Sequence, residues 1–393
     1  MLRKKCESCV EVAESDWIIE HVLCKILLRA FRSFLRASHS LFGIDLAPGR
    51  RLLGVLLAPI LKREQTSFKA LYGKSFAVDA SIELHQFLAL IRKPDGMLFT
   101  DPAGGVTSHL MGLLTRTSRL IIDYKIRPVF VFDGRPNALK KGTIESRRKA
   151  QEKAKAEYSK ALTDKDYSRA WSKVVMTGKV TRDILADAKR LLTLMGIPWL
   201  EAPEDGEAQA SYMAAKGLVW AAASKDYDCL LFGAPILARY LTLTGREYLP
   251  SKHTSRPLIP ELIKLSDNLE ALGITREQLV DIALLVGTDF NEGVFGVGPK
   301  RGLSLIIEHK SADNIPPHLR KQLPANLDEV RNIFLQPNVR DDYTLNRTRP
   351  NPDGMVEFLV QERAFSKDRV QKIADRLASA WDESDSQLGK WLA

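Results

Sequence analysis

Seven acidic residues follow short apolar runs in this sequence of 393 residues. Each stands at or just beyond the end of such a run: Asp79, Asp133, Asp205, Glu207, Asp226, Asp228 and Asp289. An Asp after a strand often does no more than cap a helix or form a turn. In an open parallel sheet, however, the carboxyl ends of the strands share one edge, where ligands bind. We therefore expect the seven acids to converge on one cleft.

Seven carboxylates in one cleft would repel one another unless cations neutralised them, because unpaired buried charge is very costly. A ligand set made only of carboxylate oxygens favours Mg²⁺ or Mn²⁺ over zinc. Two such ions about 4 Å apart form the clamp with which phosphodiester hydrolases activate water and stabilise the leaving oxygen. The acids thus predict a two-metal phosphodiesterase with Mg²⁺ as cofactor and Mn²⁺ as a substitute.

The apolar runs before these acids have the length and flanks of buried strands. Four of them alternate with helical patterns of about ten or more residues: SFAVDA, RPVFVFDG, IPWLEA and LVWAAAS. The helical patterns extend to residue 92 and over 107–124, 136–160, 183–195 and 204–216. This alternation predicts an α/β fold with a mostly parallel central sheet flanked by helices. Beyond about residue 255 the pattern is mostly helical, which predicts a helical appendage.

Positive charge is concentrated in one part of the chain. The 58 Lys and Arg exceed the 48 Asp and Glu by ten, and the pI is near 9.3. Between Arg135 and Arg182, 14 basic residues stand against 5 acidic ones, a net +9. Such a run is most often a solvated helix face, but directly after Asp133 it would overhang the cleft and hold a nucleic-acid strand. Lys140 and Arg147, two helical turns apart, would reach a scissile phosphate from one face.

A glycine-rich segment follows the last acid. It reads GVFGVGPKR over 293–301 and precedes a helical run. Its glycines allow close approach of a backbone, Pro299 suits a first helical turn, and amides at a helix start bind phosphate. The segment resembles a helix-hairpin-helix element, which grips the duplex backbone without reading bases. Its predicted DNA-binding residues are Gly296, Gly298, Lys300 and Arg301.

Composition excludes several other classes of protein. With 45% hydrophobic and 27% charged residues, the chain lies in the globular range and is long enough for one large or two ordinary domains. No apolar run is long enough to span a bilayer, so we expect no membrane partner. Four cysteines cannot form a disulfide framework for this length, which favours a reducing cytoplasm.

Residues 1–52 differ from the rest. Residues 17–36 have a helical pattern with a basic face, which would suit a membrane-surface or partner helix. We favour a disordered extension instead. Cys6 and Cys9 form a CxxC with His21 and Cys24 downstream, but a single pair is too weak a signal for a metal site.

Several motifs together resemble the flap endonuclease family in its archaeal form. They cover residue 53 to the end, in order and with the family's spacing: FAVDASIELHQFLALIR, TSHLMGLL, VFVFDGRP, LMGIPWLEAPEDGEAQASYMAAKG, AAASKDYDCLLFG and LLVGTDFNEGVFGVGPKRGL. The resemblance implies a PIN-like 5′ nuclease fold with a helical arch. It divides the chain into an N-terminal nuclease region (53–160), an internal nuclease region with the hairpin (161–310), a helical region (311–380) and a tail (381–393).

The resemblance also implies roles for individual residues. One metal would be held by Asp79, Asp133, Asp205 and Glu207, and the second by Asp226, Asp228 and Asp289. Asp205 stands where family members usually have Glu. Lys140 and Arg147 match residues at the arch base that contact the scissile phosphate. His85 stands where a Tyr commonly stacks on the terminal base pair, although a packed helix residue is a comparable interpretation. Thr107 belongs to a segment that receives a one-nucleotide 3′ flap.

The implied activity is structure-specific 5′ flap endonuclease with 5′-3′ exonuclease activity, in Okazaki fragment maturation and DNA repair. The implied protein is a cytoplasmic, nucleoid-associated monomer that binds branched DNA. Leu388, Trp391 and Leu392 resemble a peptide that binds the sliding clamp (PCNA), although Asp385 stands at its Gln position and a frayed helix end is the alternative.

The sequence also fits two other functions. A bubble or junction nuclease of the same superfamily would carry a much longer insertion between Asp133 and Asp205. A non-catalytic scaffold that binds DNA junctions would need no acid cluster. Family members begin Met-Gly-Val, and the corresponding string here is Leu53-Gly54-Val55. We therefore expect translation to start at position 53, which mass spectrometry of the natural protein would test.

Overall fold

A mixed β-sheet forms the centre of the fold. The computed structural model describes residues 55–93, 96–164, 173, 178–242, 246–249 and 254–392. The strands of these residues are β1 (Glu64–Gln65), β2 (Ser75–Asp79), β3 (Arg127–Phe132), β4 (Trp199–Glu201), β5 (Ala221–Ala223), β6 (Ile236–Arg239), β7 (Arg246–Leu249), β8 (Thr254–Pro257) and β9 (Glu261–Lys264). Among the described residues, seven strands form one sheet in the order β1-β9-β6-β5-β2-β3-β4, while β7 and β8 pair separately.

The middle of the sheet is parallel. Strand β2 pairs with β3 from Ser75 opposite Arg127 to Asp79 opposite Val131, and β2 also runs parallel to β5. Strands β4 and β6 continue the parallel arrangement on either side. Only β9 and β1, at the far edge beyond β6, join in the antiparallel direction. The carboxyl ends of five neighbouring strands therefore lie along one edge.

Both faces of the sheet are covered. On β2, Phe76 and Val78 belong to one buried cluster and Ala77 belongs to the other. Phe130 and Val131 on β3 are divided between the two clusters in the same way. This follows from the two-residue period of a strand, and it explains why these segments are continuously apolar.

Helices form the covering layers and the C-terminal region. They are α1 (Ala80–Leu90), α2 (Ser108–Gly112), α3 (Ser118–Tyr124), α4 (Lys141–Thr163), α5 (Arg182–Leu194), α6 (Gly206–Ala215), α7 (Asp228–Leu231), α8 (Leu265–Leu272), α9 (Arg276–Val286), α10 (Pro299–His309), α11 (Pro317–Arg320), α12 (Leu327–Leu335), α13 (Pro352–Val356) and α14 (Lys367–Leu392). A π-helical segment, Leu113–Thr117, joins α2 to α3, and another, Glu357–Glu362, follows α13. A 3₁₀ turn, Ala138–Lys140, leads into α4.

The turn between α9 and α10 returns to the end of α9. Gly293 has φ +79°, and a Cβ at that position would lie 2.5 Å from the backbone nitrogen of Gly287, so only glycine fits. Val294 N then donates to Leu285 O at 2.8 Å. Together α9, this turn and α10 form the predicted hairpin element.

The structure confirms the predicted fold class and refines several boundaries. The helical pattern over 107–124 corresponds to a continuous helical segment over 108–124 that includes the π turn. The strand predicted in LVWAAAS is limited to Ala221–Ala223, and the helix predicted from Glu204 starts at Gly206. One expectation was wrong: Asp289 does not follow a strand. It follows α9, whose residues 279–286 are all buried and, apart from Asp281, apolar, so this stretch resembles a buried strand in sequence.

Some predictions fall outside what the structure describes. Those on residues 1–52 lie outside the described residues. Residues Leu388, Trp391 and Leu392 of the proposed clamp peptide lie within α14, but their side chains are not described. The divisions at 160, 310 and 380 stay predictions within one compact unit. Within the described residues, no helix is both long and apolar enough to cross a bilayer.

Candidate active site

Two of the acids lie at the ends of adjacent strands. Asp79 is the last residue of β2 and the N-cap of α1, where its Oδ1 accepts a hydrogen bond from Ile82 N at 3.0 Å. Asp133 comes directly after β3, and its Oδ1 accepts a hydrogen bond from Gly206 N at 2.7 Å. Because β2 and β3 are parallel and in register, the two carboxylates meet at the same edge. The predicted position of both residues is thus observed.

A serine that the sequence analysis missed links two more acids. Ser224, directly after β5, donates from Oγ to Glu207 Oε1 at 2.7 Å, and the same Oγ accepts from Asp226 N at 3.1 Å. Glu207 itself lies in the first turn of α6. Ser224 therefore positions a carboxylate that precedes it by 17 residues and the loop that carries Asp226. The only sequence signal was a hydroxyl residue at the end of an Ala-rich strand.

Asp228 is the buried end of this loop. Its exposed fraction is 5%, and its Oδ1 accepts a hydrogen bond from Val55 N at 3.1 Å, across 173 residues of sequence. Burial, with Asp289 and Asp226 close by, raises the pKa of Asp228 to about 7. The start of the described chain therefore lies against the acid cluster.

The remaining buried acids show the same mutual repulsion. Burial raises the pKa of Asp79 well above its usual value, and the charge of Asp133 adds to this effect. Burial also raises the pKa of Glu207, and Asp228 and Asp79 add to it. Carboxylates whose pKa values rise because they are buried near one another are stable as anions only with added positive charge. This chemistry, together with the oxygen-only donors, fits hard divalent cations.

Two basic side chains at the start of the predicted arch supply part of this charge: Lys140, directly before α4, and Arg147, within α4. Lys140 Nζ forms a short ion pair with Asp205 Oδ1 and lies 5.0 Å from the ring centroid of Phe290. Arg147 Nη2 lies 2.7 Å from Asp289 Oδ1 and 2.6 Å from Oδ2. Both predicted phosphate-contacting residues are therefore in the site, bound to acids that are predicted metal ligands.

The charges of Lys140 and Asp205 affect each other. Burial alone would lower the pKa of Lys140, but Asp205, Asp289 and Asp133 outweigh it, and the pKa is raised. Burial raises the pKa of Asp205, and Lys140 opposes this effect. Because Lys140 has several acidic neighbours, we conclude that it remains protonated and that Asp205 is held as its partner.

No three His, Cys, Asp or Glu side chains within the described part of the chain stand close enough together to hold one ion as they are arranged. The ion pairs of Lys140 and Arg147 account for two of the seven acids. As predicted metal ligands, Asp205 and Asp289 would have to leave their basic partners to reach an ion.

An eighth acid lies beside the cluster and was missed. Glu83 is on α1, one turn beyond Asp79, and is only 4% exposed. Thr242 Oγ1 donates a short hydrogen bond to Glu83 Oε2. Burial raises the pKa of Glu83 to about 7, although Thr242, Arg116 and Lys225 oppose the shift. The sequence feature that could have indicated Glu83 was an acid four residues after Asp79, on the same side of the helix.

The predicted DNA-binding residues differ in accessibility. His85 is exposed on α1, and Gly296, Gly298, Lys300 and Arg301 are exposed at the hairpin. Thr107, in contrast, is only 4% exposed, so its side chain is buried at the start of α2. Roles in DNA binding stay predictions for all of them.

Comparison with known proteins defines the class. The sequence model of the XPG N-terminal domain matches residues 53–154, and that of the XPG I-region matches residues 196–289. The first match contains Asp79, Asp133, Lys140 and Arg147, and the second contains the other five acids. The chain is thus an XPG-type nuclease, an enzyme that hydrolyses phosphodiester bonds.

Whole-chain relatives narrow this class. Flap endonuclease 1 of Archaeoglobus fulgidus is 45% identical over 348 residues, which cover 86% of this chain and 100% of the relative. Flap endonuclease 1 of Methanopyrus kandleri is 44% identical over 334 residues, 83% of this chain and 94% of the relative. The chain belongs to the flap endonuclease family, as its motifs predicted.

Solved structures agree with this assignment. Flap endonuclease-1 from Methanococcus jannaschii superimposes with a TM-score of 0.68 at 39% identity, covering 84% of this chain and 100% of the other. The catalytic core of Rad2 in complex with a DNA substrate superimposes with a TM-score of 0.61 at 23% identity, covering 82% of this chain and 97% of the other, and supports the fold alone. The predicted PIN-like nuclease fold is confirmed.

Proposed function

We propose that this protein is a Mg²⁺-dependent, structure-specific 5′ flap endonuclease with 5′-3′ exonuclease activity, which acts in Okazaki fragment maturation and DNA repair. The observation that carries the proposal is the cluster of buried acids at one sheet edge, with Lys140 and Arg147 of the arch reaching into it. Membership of a family of metal-dependent nucleases supports it. The choice of Mg²⁺, and of two ions per site, rests on the oxygen-only ligand set.

The acids would divide between two ions as the family pattern implies. Asp79, Asp133, Asp205 and Glu207 would hold the first, and Asp226, Asp228 and Asp289 the second. When bound, the ions would lower the pKa of a water molecule and offset charge on the leaving oxygen.

The chain itself fixes the directions of several of these carboxylates. Gly206 N orients Asp133, Ser224 Oγ orients Glu207, and Val55 N orients Asp228. These three donors come from different parts of the chain, so the site depends on the complete fold of the nuclease region. Such supporting hydrogen bonds hold ligands in place before an ion or a substrate binds.

Lys140 and Arg147 would exchange partners when DNA arrives. Each now binds a carboxylate, and a phosphate oxygen offers the same charge with similar geometry. Their positions at the base of α4 would direct them to the phosphate next to the scissile bond. This places their contribution in the transition state, where negative charge on the phosphate increases.

Branched DNA would contact surfaces on both sides of the site. The duplex would lie on the hairpin through Gly296, Gly298, Lys300 and Arg301, and the 5′ strand would pass the basic arch. His85 would stack on the terminal base pair. The segment with Thr107 would receive the 3′ flap, where the buried Thr107 would shape the pocket rather than touch DNA.

Cleavage of a double-flap DNA tests the proposal. The wild-type protein should release the 5′ flap one nucleotide into the duplex with Mg²⁺ and leave it intact in EDTA. Asp226→Ala should bind the DNA but cleave it at least a hundredfold more slowly. A wild type that binds the flap without cutting it would establish the scaffold alternative. Faster cleavage of a bubble than of a flap would establish the junction-nuclease alternative.

We further propose that the tail binds the sliding clamp through Leu388, Trp391 and Leu392, that the protein acts as a monomer, and that it works at the chromosomal DNA of the nucleoid. Titration of the tail peptide against the host clamp, with Trp391→Ala as the control, tests the first point. Equal affinity of the two peptides would exclude Trp391 as an anchor.

A further inference from the structure

The hairpin between α9 and α10 carries an aromatic side chain at its tip. Phe295 is 75% exposed, the highest exposure among the large hydrophobic residues that the structure describes. A phenyl ring that exposed contributes little to the folded core, so its apolar surface is available to a molecule that binds the hairpin.

The backbone on both sides of Phe295 is fixed. Val294 and Val297 are 4% and 3% exposed and pack into the core, and Val294 N bonds to Leu285 O at 2.8 Å. Phe295 N donates to Gln322 Oε1 at 3.0 Å, and Gly296 has φ +72°. Because both flanking valines are anchored inward, the ring cannot turn into the core without breaking the hairpin.

The immediate surroundings of the ring are basic. Arg301 Nη1 bonds to Gly296 O at 3.3 Å, so the guanidinium lies against the hairpin tip. Lys300 is exposed beside it at the start of α10, while Glu292 is the acid of the same turn. A partner that fits this surface has phosphates for the two cations and carbon-rich surface between them. The minor groove of a duplex offers this combination, since deoxyribose carbons line the space between its phosphates.

We infer that Phe295 packs against the sugars of the duplex in the minor groove and contributes affinity that salt does not weaken. This inference rests on the proposed function, because it needs a duplex seated on the hairpin. It adds to that function an apolar contact beside the phosphate contacts of Lys300 and Arg301. The two kinds of contact differ in their response to ionic strength, because only a charge that neutralises a phosphate releases counterions.

Equilibrium binding of fluorescent double-flap DNA in EDTA, between 50 and 200 mM NaCl, separates these contributions. Phe295→Ala should raise Kd about fivefold at every salt concentration, without changing the slope of log K against log salt. Lys300→Ala should reduce that slope by about one. Phe295→Lys should make the slope steeper by about one. Ile307→Ala, which removes an apolar side chain that is 46% exposed near the other end of α10, should bind as wild type does.

Several results would overturn the inference. One is a Phe295→Ala variant with wild-type Kd at every salt concentration, and another is a loss of affinity that appears only as a change in slope. A third is a wild type that self-associates in sedimentation while Phe295→Ala is monomeric with unchanged DNA affinity, because the ring would then serve a second copy. Failure of the proposed function is distinguishable, since both the wild type and Phe295→Ala would then leave flap DNA uncut in Mg²⁺.

Discussion

Glu83 provides the sharpest test of the electrostatics beside the acid cluster. Its carboxyl is 4% exposed, and burial raises its pKa from 4.5 to about 7. Because the folded-state pKa lies above the unfolded one, the folded protein binds the proton more tightly than the unfolded chain does. The contribution of protonated Glu83 to the free energy of unfolding is therefore complete below about pH 4.5 and is lost as the pH rises through 7.

The magnitude follows from the size of the shift. A rise of the pKa from 4.5 to about 7 corresponds to about 3 kcal/mol, which the ionised Glu83 subtracts from the free energy of unfolding above pH 7. Glu83→Gln removes the charge and keeps an oxygen that can accept the hydrogen bond of Thr242. We expect this variant to match wild type near pH 4.5 and to be more stable by about 3 kcal/mol at pH 8.

Urea unfolding in EDTA at pH 5, 6, 7 and 8 measures this difference. The control is Glu292→Gln, which changes an exposed acid and should give the same small effect at every pH. The reasoning would be refuted by a Glu83→Gln variant whose stability relative to wild type does not change between pH 5 and 8. It would equally be refuted by a variant that is less stable at pH 8, since Glu83 would then stabilise the fold as an anion through Arg116 and Lys225.

Three further outcomes follow from the site and the sheet. Ser224→Ala should lower the single-turnover rate of cleavage about tenfold with little change in the affinity for DNA, because Glu207 loses the donor that orients it; an unchanged rate would show that Ser224 does not position Glu207. Arg147→Ala should lower kcat by about 10² to 10³ while flap binding persists, and loss of binding alone would contradict a transition-state role. Arg239→Ala should lower the free energy of unfolding by about 3 kcal/mol in chemical denaturation, because it leaves Glu261 buried without the guanidinium 3.0 Å away; a loss below 1 kcal/mol would show that water or Arg63 replaces the partner.

The parts of the site on β2 and β3 could be predicted because one physical signal defines both. The strands SFAVD and RPVFVF are buried on both faces, so they are continuously apolar, and the acids Asp79 and Asp133 mark where burial ends. Parallel pairing then brings the two acids together without further information.

The strands β6 and β9 escaped prediction for a related reason. Each carries a charged residue in the interior of the fold, Arg239 on β6 and Glu261 on β9, both less than 10% exposed. They bond across the antiparallel pair, and Arg239 also lies 4.4 Å from the ring centroid of Tyr227. In the sequence of a single strand, a charged residue indicates a position that faces solvent, because the partner that neutralises it lies far away in the chain.

Glu83 and Asp289 show the same limit at the site. The burial of Glu83 depends on Thr242, which lies 159 residues away, so no local pattern distinguishes it from an exposed helical acid. Asp289 lies close enough to Asp228 to raise the pKa of that carboxyl, although it follows a buried helix and not a strand. An apolar run in the sequence indicates that a segment is buried. Whether that segment is a helix or a strand depends on its length and its packing.

If Lys140 and Arg147 contact phosphate as proposed, their ion pairs would also affect which DNA the site accepts. Each carboxylate partner is tethered to the same molecule, so it competes with an incoming phosphate at a high effective concentration. A passing phosphate of intact duplex, which would reach one cation only briefly, would compete poorly against Asp205 or Asp289. DNA seated on the hairpin and the arch at once would gain the same intramolecular advantage and could displace both. The acids that would hold the ions would therefore also act, before substrate binds, as built-in inhibitors that discriminate against undamaged DNA.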